Sequence, residues 1–295
     1  MPELPEVEVL ARHLHAALAG QSIARASVLR GRRVEPADAA DHDALVAGRT
    51  FRGVGRRGKY LLLQLDGSRS DNAVIVVHLG MTGRIYLTDP RQAPAKHAVV
   101  AYELSGHRAQ ALIFEDPRGF GHWRVGTQHL PELGPEPLEP GFDIPAWLQR
   151  LQSSRQSIKT RLLDQSIIAG IGNIYANEAL FEAGIHPLLP SSSISPQAAH
   201  RLVTAIRSTL HKAIQRGTQY QLSWKTPEEN NRLFYFGAAA QPDQPSALEL
   251  FWVYDRKGQP CRQCGATILR TVQSQRSTFH CPSCQPDEPA TSRSW

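Results

Sequence analysis

The chain has 295 residues, 41% of them apolar, which is enough for two domains with their own cores, and it contains no run of about 18 apolar residues that would cross a membrane. A formal net charge of +6 points toward a polyanionic partner without identifying one, because many basic proteins bind no nucleic acid. All four cysteines lie between 261 and 284, against a disulfide framework spread through a secreted fold, and the acidic, helix-patterned N-terminus lacks the features of a signal peptide, so a soluble cytoplasmic protein is expected.

The first predicted element is a helix. Pro5 suits its first turn, where a missing N–H costs nothing, and Val7, Leu10, Ala11, Leu14 and Leu18 follow at helical spacing. Ahead of it stand Met1, Pro2 and Glu3. Once Met1 is trimmed, as the small residue at position 2 permits, Pro2 presents a secondary amine that can attack a sugar-type carbon and go directly to a cationic iminium, an electron sink. The positive end of the helix disfavours the ammonium form and favours ionised Glu6 and Glu8, while Glu3 is placed to shuttle protons. Taken alone, the same prolines and glutamates also serve as ordinary helix-start punctuation.

Short apolar runs follow at 23–28, 60–65, 73–79, 84–87, 98–102, 111–114 and 123–125, separated by Gly, Asp, Asn, Ser and Pro, which predicts a β-sandwich or barrel. Lys59 precedes the second run and, by charge, is one more exposed cation for a phosphate. Met81 lies in His78-Leu79-Gly80-Met81-Thr82-Gly83, and Arg118 and Phe120 lie in Asp116-Pro117-Arg118-Gly119-Phe120-Gly121, both glycine-flanked turns between strands. Such Met and Phe residues usually belong to a core, and His97 reads as a solvated loop histidine. The sandwich domain is expected over 1–134, with a proline-rich linker over 135–148.

A helical pattern returns near 146 and continues to about 215, within a second domain over 149–250. Between Leu163 and Glu178 two glycines, Gly170 and Gly172, mark a tight turn between helices. They either let the backbone and the next helix's free N–H groups approach a phosphate, or serve packing alone. Residues 217–250 show little pattern, and 286–295 read as a disordered tail. Between them, over 251–285, Cys261-x2-Cys264 and Cys281-x2-Cys284 are sixteen residues apart, the paired spacing of tetrahedral zinc. Four thiolates fill the coordination sphere, so one structural Zn2+ is expected, with a β-hairpin carrying Arg270 and Arg276 between the pairs.

The opening octet Met-Pro-Glu-Leu-Pro-Glu-Val-Glu resembles the N-terminus of the formamidopyrimidine-DNA glycosylase branch of the Fpg/Nei family, and further motifs follow in family order from Met1 to Cys284. The resemblance implies an α+β fold: an N-terminal β-sandwich with an N-terminal helix, a helix–two-turns–helix domain, and a zinc-bearing β-hairpin. It also implies a bifunctional DNA glycosylase and AP lyase that removes oxidised purines from duplex DNA. Pro2 is then the nucleophile, with Glu3 assisting base displacement. Lys59 holds a phosphate and assists β-elimination, and Arg276 supports the later elimination. Met81, Arg118 and Phe120 fill the space left by the extruded base, with Gly119 departing from the larger residue often found there. His97 and Asn173 contact DNA, and Arg155 lies near a DNA-contacting lysine of the family. Damaged double-stranded DNA is the expected partner, for a monomer working on the bacterial nucleoid. Two alternatives stand beside this reading. One is an endonuclease VIII-like enzyme for oxidised pyrimidines, raised because Gln219 to Lys225 depart from the purine pattern; the other is a non-catalytic zinc-bearing DNA-binding protein.

Overall fold

The computed structural model describes residues 2–67, 73–106, 110–218 and 251–287, with no account of the Thr218 side chain. The expectations for the 219–250 loop and for the tail beyond Asp287 lie outside the described residues. In chain order the elements are α1 (Leu4–Leu18), β1 (Ser22–Val28), β2 (Val34–Glu35), α2 (Ala39–Val46), β3 (Phe51–Arg57), β4 (Tyr60–Leu65), β5 (Val74–His78), β6 (Arg84–Thr88), β7 (Ala98–Ser105), β8 (Gln110–Glu115) and β9 (His122–Val125). After these come α3 (Ile144–Gln152), α4 (Ile158–Leu163), α5 (Asn173–Glu182), α6 (Pro196–Thr218), β10 (Leu269–Gln273) and β11 (Arg276–His280). Among the described residues the chain divides into two compact units, one of 2–132 with 214–218 and one of 133–213 with 251–287.

In the first unit β1-β7-β8-β6 form an antiparallel sheet, and β2-β9-β5-β4-β3 form a second sheet whose only parallel pair among the described residues is β2 with β9. Alternating residues of both sheets, among them Val100, Tyr102, Leu112, Phe114, Leu61, Leu63, Ile75 and Val77, share one buried cluster with Val7, Leu10, Leu14 and Leu18 of α1. This is the expected sandwich with its N-terminal helix, and the alternation follows from the period of 2 along each strand. Trp123 stacks on Phe114, and its indole N–H donates to the Tyr102 hydroxyl at 2.9 Å. An indole only donates, so the Tyr102 oxygen accepts there and donates to His42 Nε2 at 2.6 Å, leaving His42 Nδ1–H for the Pro36 carbonyl at 3.1 Å. That chain of bonds anchors α2, which the periodicity did not announce. Strand β3 also escaped notice, because Gly53 and Gly55 dilute its apolar pattern. Gly53 has a packing reason: a Cβ there would lie 2.8 Å from the His15 ring of α1.

The second unit begins in the expected linker, where Gly134 donates to the Gln165 carbonyl at 2.8 Å and Ala169 donates to the Pro135 carbonyl at 3.0 Å. The linker is shorter than its prolines suggested, since α3 starts at Ile144 with Asp143 as N-cap and Pro145 tolerated in its first turn. The turn between α4 and α5 contains Gly170 at φ +85° and is held by the Gln165 side chain, which bonds Gly170 N, Leu163 O and Ile171 O. The hairpin β10–β11 turns through Ser274 and Gln275, both at positive φ. Asp287, the last described residue, pairs with His186 at 3.0 Å. Among the described residues no helix is long and apolar enough to cross a membrane.

Candidate functional site

Pro2 and Glu3 are buried at the start of α1. Glu3 is the N-cap and forms a capping box with Glu6, the Glu3 amide donating to Glu6 Oε2 at 2.8 Å. Glu6 is therefore structural, and Glu8 belongs to an ion pair. The Glu8 carboxylate accepts from Arg56 at 2.9 Å and Arg12 at 2.8 Å. Burial alone would raise its pKa, but the two guanidiniums outweigh that and hold it below the ordinary value. Arg56 Nη1 also donates to the Gly58 carbonyl at 3.0 Å, so one side chain ties α1 to the two-residue Gly58-Lys59 turn between β3 and β4. Lys59 is not the exposed cation that charge suggested, for only 6% of its surface is accessible. The sequence reading missed Arg56; an Arg two residues before a hairpin turn, beside a helix carrying an acidic pair, is a signal for it.

His78 is opposite Tyr60 in the β4–β5 register, with ring centroids 4.8 Å apart. Burial, with the nearby His122 and the Lys59 charge adding to it, pushes His78 down to about 4. The ring is neutral at neutral pH, and its Nδ1 accepts the Gly80 N–H at 3.1 Å, which leaves the proton on Nε2.

Met81 and Phe120 are 40% and 45% exposed, so neither is a core residue. The Arg118 guanidinium lies over the Phe120 ring at 5.2 Å, a cation–π contact that holds the two side chains together. The loops carrying Met81, His97 and Arg118–Phe120 meet at Asp116, which is 3% exposed. His97 itself is half-buried, with no partner for its Nδ1 among the described residues.

In the second unit α5 grips the hairpin. The Glu178 carboxylate accepts the backbone N–H groups of Trp252, Val253 and Tyr254 at 2.8–3.0 Å, and burial pushes its pKa up despite those bonds and the Arg256 charge. Asn177 accepts the Phe279 N–H at 2.8 Å. Asn173 donates to the Ser277 carbonyl at 3.1 Å, and the fully buried Lys159 donates to the same carbonyl at 2.8 Å and to Thr278 Oγ1 at 2.7 Å. Asn173 thus holds the residue next to Arg276, which is exposed at the start of β11. Arg155 is also exposed, on the turn between α3 and α4, while Lys159 four positions on faces inward; the sequence reading named the former and missed the latter.

The sulfur atoms of Cys261, Cys264, Cys281 and Cys284 all lie within 4.8 Å of one another. Backbone N–H groups of Gln263 and Cys284 point at Cys261 and Cys281 sulfur, both at 3.4 Å. The Ala266 N–H, with the Cys281 thiol, brings Cys264 down to about 7, whereas burial and the neighbouring thiols push Cys281 and Cys284 up. Four thiolates so crowded repel one another unless a cation lies among them, and a tetrahedral sulfur set of this spacing suits zinc.

Comparison with known families matches residues 1–123 to the formamidopyrimidine-DNA glycosylase N-terminal domain, 133–223 to the formamidopyrimidine-DNA glycosylase H2TH domain and 258–286 to a zinc finger found in FPG and IleRS. Among similar proteins, the formamidopyrimidine-DNA glycosylase of Chloroflexus aurantiacus is 42% identical, over 97% of this chain and 98% of its own. That of Bordetella parapertussis is 39% identical, over 97% and 99%. A solved complex of the Lactococcus lactis Fpg with DNA containing an abasic site superimposes with a TM-score of 0.80 at 30% identity, over 97% of this chain and all of that one. A structure of MutM with DNA containing carbocyclic 8-oxo-G gives 0.80 at 31% identity, with the same coverage.

Proposed function

This chain belongs to the formamidopyrimidine-DNA glycosylase family, and on that premise we propose how its residues excise a base and cut the strand. It is a DNA glycosylase of base excision repair with AP lyase activity, and it binds one structural zinc through Cys261, Cys264, Cys281 and Cys284. Its substrates are oxidised purines such as formamidopyrimidines and 8-oxoguanine in duplex DNA, as the names of its relatives and the contents of the solved complexes support. Family membership favours this purine reading over the endonuclease VIII-like one, and a glycosylase family leaves no room for the non-catalytic alternative.

Pro2, freed of Met1, attacks C1′ of the damaged nucleotide through its amine nitrogen. The glycosidic bond breaks with its electron pair passing to the base, which takes up a proton with help from Glu3. The Pro2 nitrogen gives up its proton, the C1′–O4′ bond breaks with O4′ taking one up, and the opened sugar is left as an iminium on Pro2. Loss of a proton from C2′ expels the 3′ phosphate, and loss of one from C4′ expels the 5′ phosphate. Lys59 supports the first elimination and Arg276 the second. The observation that carries this assignment is burial: Pro2 is buried at the positive end of α1, next to Glu3, which is 3% exposed. Both burial and the helix end disfavour an ammonium and favour the free amine. Zinc supplies no reactive position, since four thiolates saturate it; it holds the hairpin that presents Arg276. Met81, Arg118 and Phe120 occupy the vacated stack, while His97, Asn173 and Arg155 hold the DNA backbone. The protein acts as a monomer on nucleoid DNA in the bacterial cytoplasm.

Borohydride trapping tests the chemistry. Wild-type protein with a duplex containing 8-oxoguanine should yield a covalent adduct, and Pro2→Ala should weaken or relocate it, because alanine still offers a primary amine. Glu3→Gln should slow base removal by about 100-fold or more and slow cleavage of a preformed abasic site much less. Protein that binds the duplex and never forms the adduct would overturn the assignment.

A further inference from the structure

The turn of Met81 and the turn of Arg118 and Phe120 are separate in sequence, yet their bonds run to one carboxylate. Asp116 Oδ1 accepts the Thr82 hydroxyl at 2.7 Å and the Arg118 N–H at 3.3 Å, and Asp116 Oδ2 accepts the Gly121 N–H at 2.6 Å. Thr82 Oγ1 accepts the same Arg118 N–H at 3.3 Å, so the hydroxyl donates across to one loop and receives from it. The Asp116 N–H in turn donates to the His97 carbonyl at 3.0 Å, which attaches a third loop. The backbones themselves touch. Gly80 is at φ +62°, and a Cβ on it would lie 2.6 Å from the Phe120 carbonyl carbon and 2.7 Å from the Gly121 nitrogen. On its other side the Gly80 N–H is held by neutral His78.

We infer that Asp116 and Thr82 are positioning residues that lock the loops of Met81, His97, and Arg118 with Phe120 into one rigid element, so that the side chains entering the DNA stack act together. The reasoning is geometric. An extruded base leaves one gap, and the side chains entering from two loops fill it only if their separation is set in advance. Free loops would have to be ordered at the moment of extrusion, which raises the barrier to reaching the flipped state; bonded loops have already met that cost. A carboxylate has about four acceptor sites, and a threonine hydroxyl both donates and accepts with a β-branched, stiff χ1, so this pair suits a junction that must take several donors in a fixed arrangement. Among the described residues, the side-chain hydrogen bonds of Asp116 run to Thr82, Arg118 and Gly121 of these loops. The inference rests on the assignment of Met81, Arg118 and Phe120 to the vacated stack.

The test uses full-length, zinc-loaded protein and four variants: Phe120→Ala, Thr82→Val, Thr82→Ser and Asp116→Asn. Single-turnover excision from a duplex containing 8-oxoguanine is compared with cleavage of a preformed abasic site, alongside the melting midpoint. Thr82→Val keeps the volume and removes the hydroxyl, and it should slow excision by about 10- to 100-fold while abasic-site cleavage changes by no more than about threefold. Thr82→Ser restores the hydroxyl and should restore excision to near wild type. Asp116→Asn should resemble Thr82→Val wherever it folds. Excision rates for Thr82→Val and Thr82→Ser that both match wild type would overturn the coupling, as would a fall in both activities in step with the melting midpoint. If Phe120→Ala itself leaves duplex excision unchanged, the assignment to the stack fails instead, and the two failures are distinguished.

Discussion

In the N-terminal unit, apolar side chains from two sheets and α1 interlock in one cluster, and a single file of polar contacts, Trp123 to Tyr102 to His42, crosses it. Where α5 meets the finger the proportions reverse. The apolar contact there is a small group around Phe181, Val253, Ile268 and Phe279, and the joint is made by Glu178, Asn177, Asn173 and Lys159 bonding to finger backbone. A packed core spreads its stability over many side chains, about 0.8 kcal/mol for each buried methylene. A joint built from directed bonds around a metal holds its partner in one orientation and has few contacts to spare. The first suits a scaffold, and the second suits presentation of one residue, Arg276, at a set place.

Removing zinc should separate the two most sharply. Chelation, or Cys264→Ser, takes away a contribution on the order of 10 kcal/mol and should disorder the finger with the α5 contacts that depend on it. The sandwich should keep its own unfolding transition by calorimetry, and a single transition lost at once would break the distinction. Next in size, Leu63→Ala should cost about 2–5 kcal/mol through the cavity left in the fully buried core. Zinc affinity measured by chelator competition should not change with it. A smaller effect comes from pH. His78 has its folded pKa depressed from 6.5 to about 4, so the unfolded chain binds its proton first as pH falls. The sandwich should therefore lose stability, on the order of 3 kcal/mol, as pH drops from about 6.5 toward 4, with the loss complete below the folded value. His78→Asn should flatten that slope in urea titrations. The smallest expected change is in Phe120→Ala, which should alter the unfolding free energy by less than about 0.5 kcal/mol while slowing excision from duplex DNA. A core phenylalanine would cost about 3–5 kcal/mol, so the melting midpoint discriminates between the two roles.

Much of the architecture was legible because it rests on local periodicity. Seven strand runs, α1, the helices after Asp143 and the cysteine-paired hairpin all follow from spacing between neighbours in the chain. Elements without such a signature were missed. Strand β3 carries two glycines, of which Gly53 is set by the approach of His15, and α2 is short and fastened by a histidine whose partner, Tyr102, lies sixty residues away. The site divides in the same way. The cysteines declare their chemistry by type and spacing, whereas the roles proposed for Pro2 and Glu3 needed the resemblance of the whole opening octet. Asp116, Thr82, Arg56 and Lys159 act through bonds to residues distant in sequence, and nothing adjacent to them foretells which donor they will meet. Lys159, four positions beyond the exposed Arg155, faces inward, and nothing in the local sequence sets the two cations apart.

The tip of the finger has a practical side. Ser274 and Gln275 occupy positive φ, where residues with a Cβ are strained and where asparagine followed by glycine is the favoured pair. Nature has left the β10–β11 turn in a less comfortable sequence than the geometry allows. For an engineer seeking a more heat-tolerant repair reagent, that turn is headroom: it can be relaxed without touching the thiols, the α5 joint or the N-terminal amine, and each relieved residue is worth roughly 1 kcal/mol.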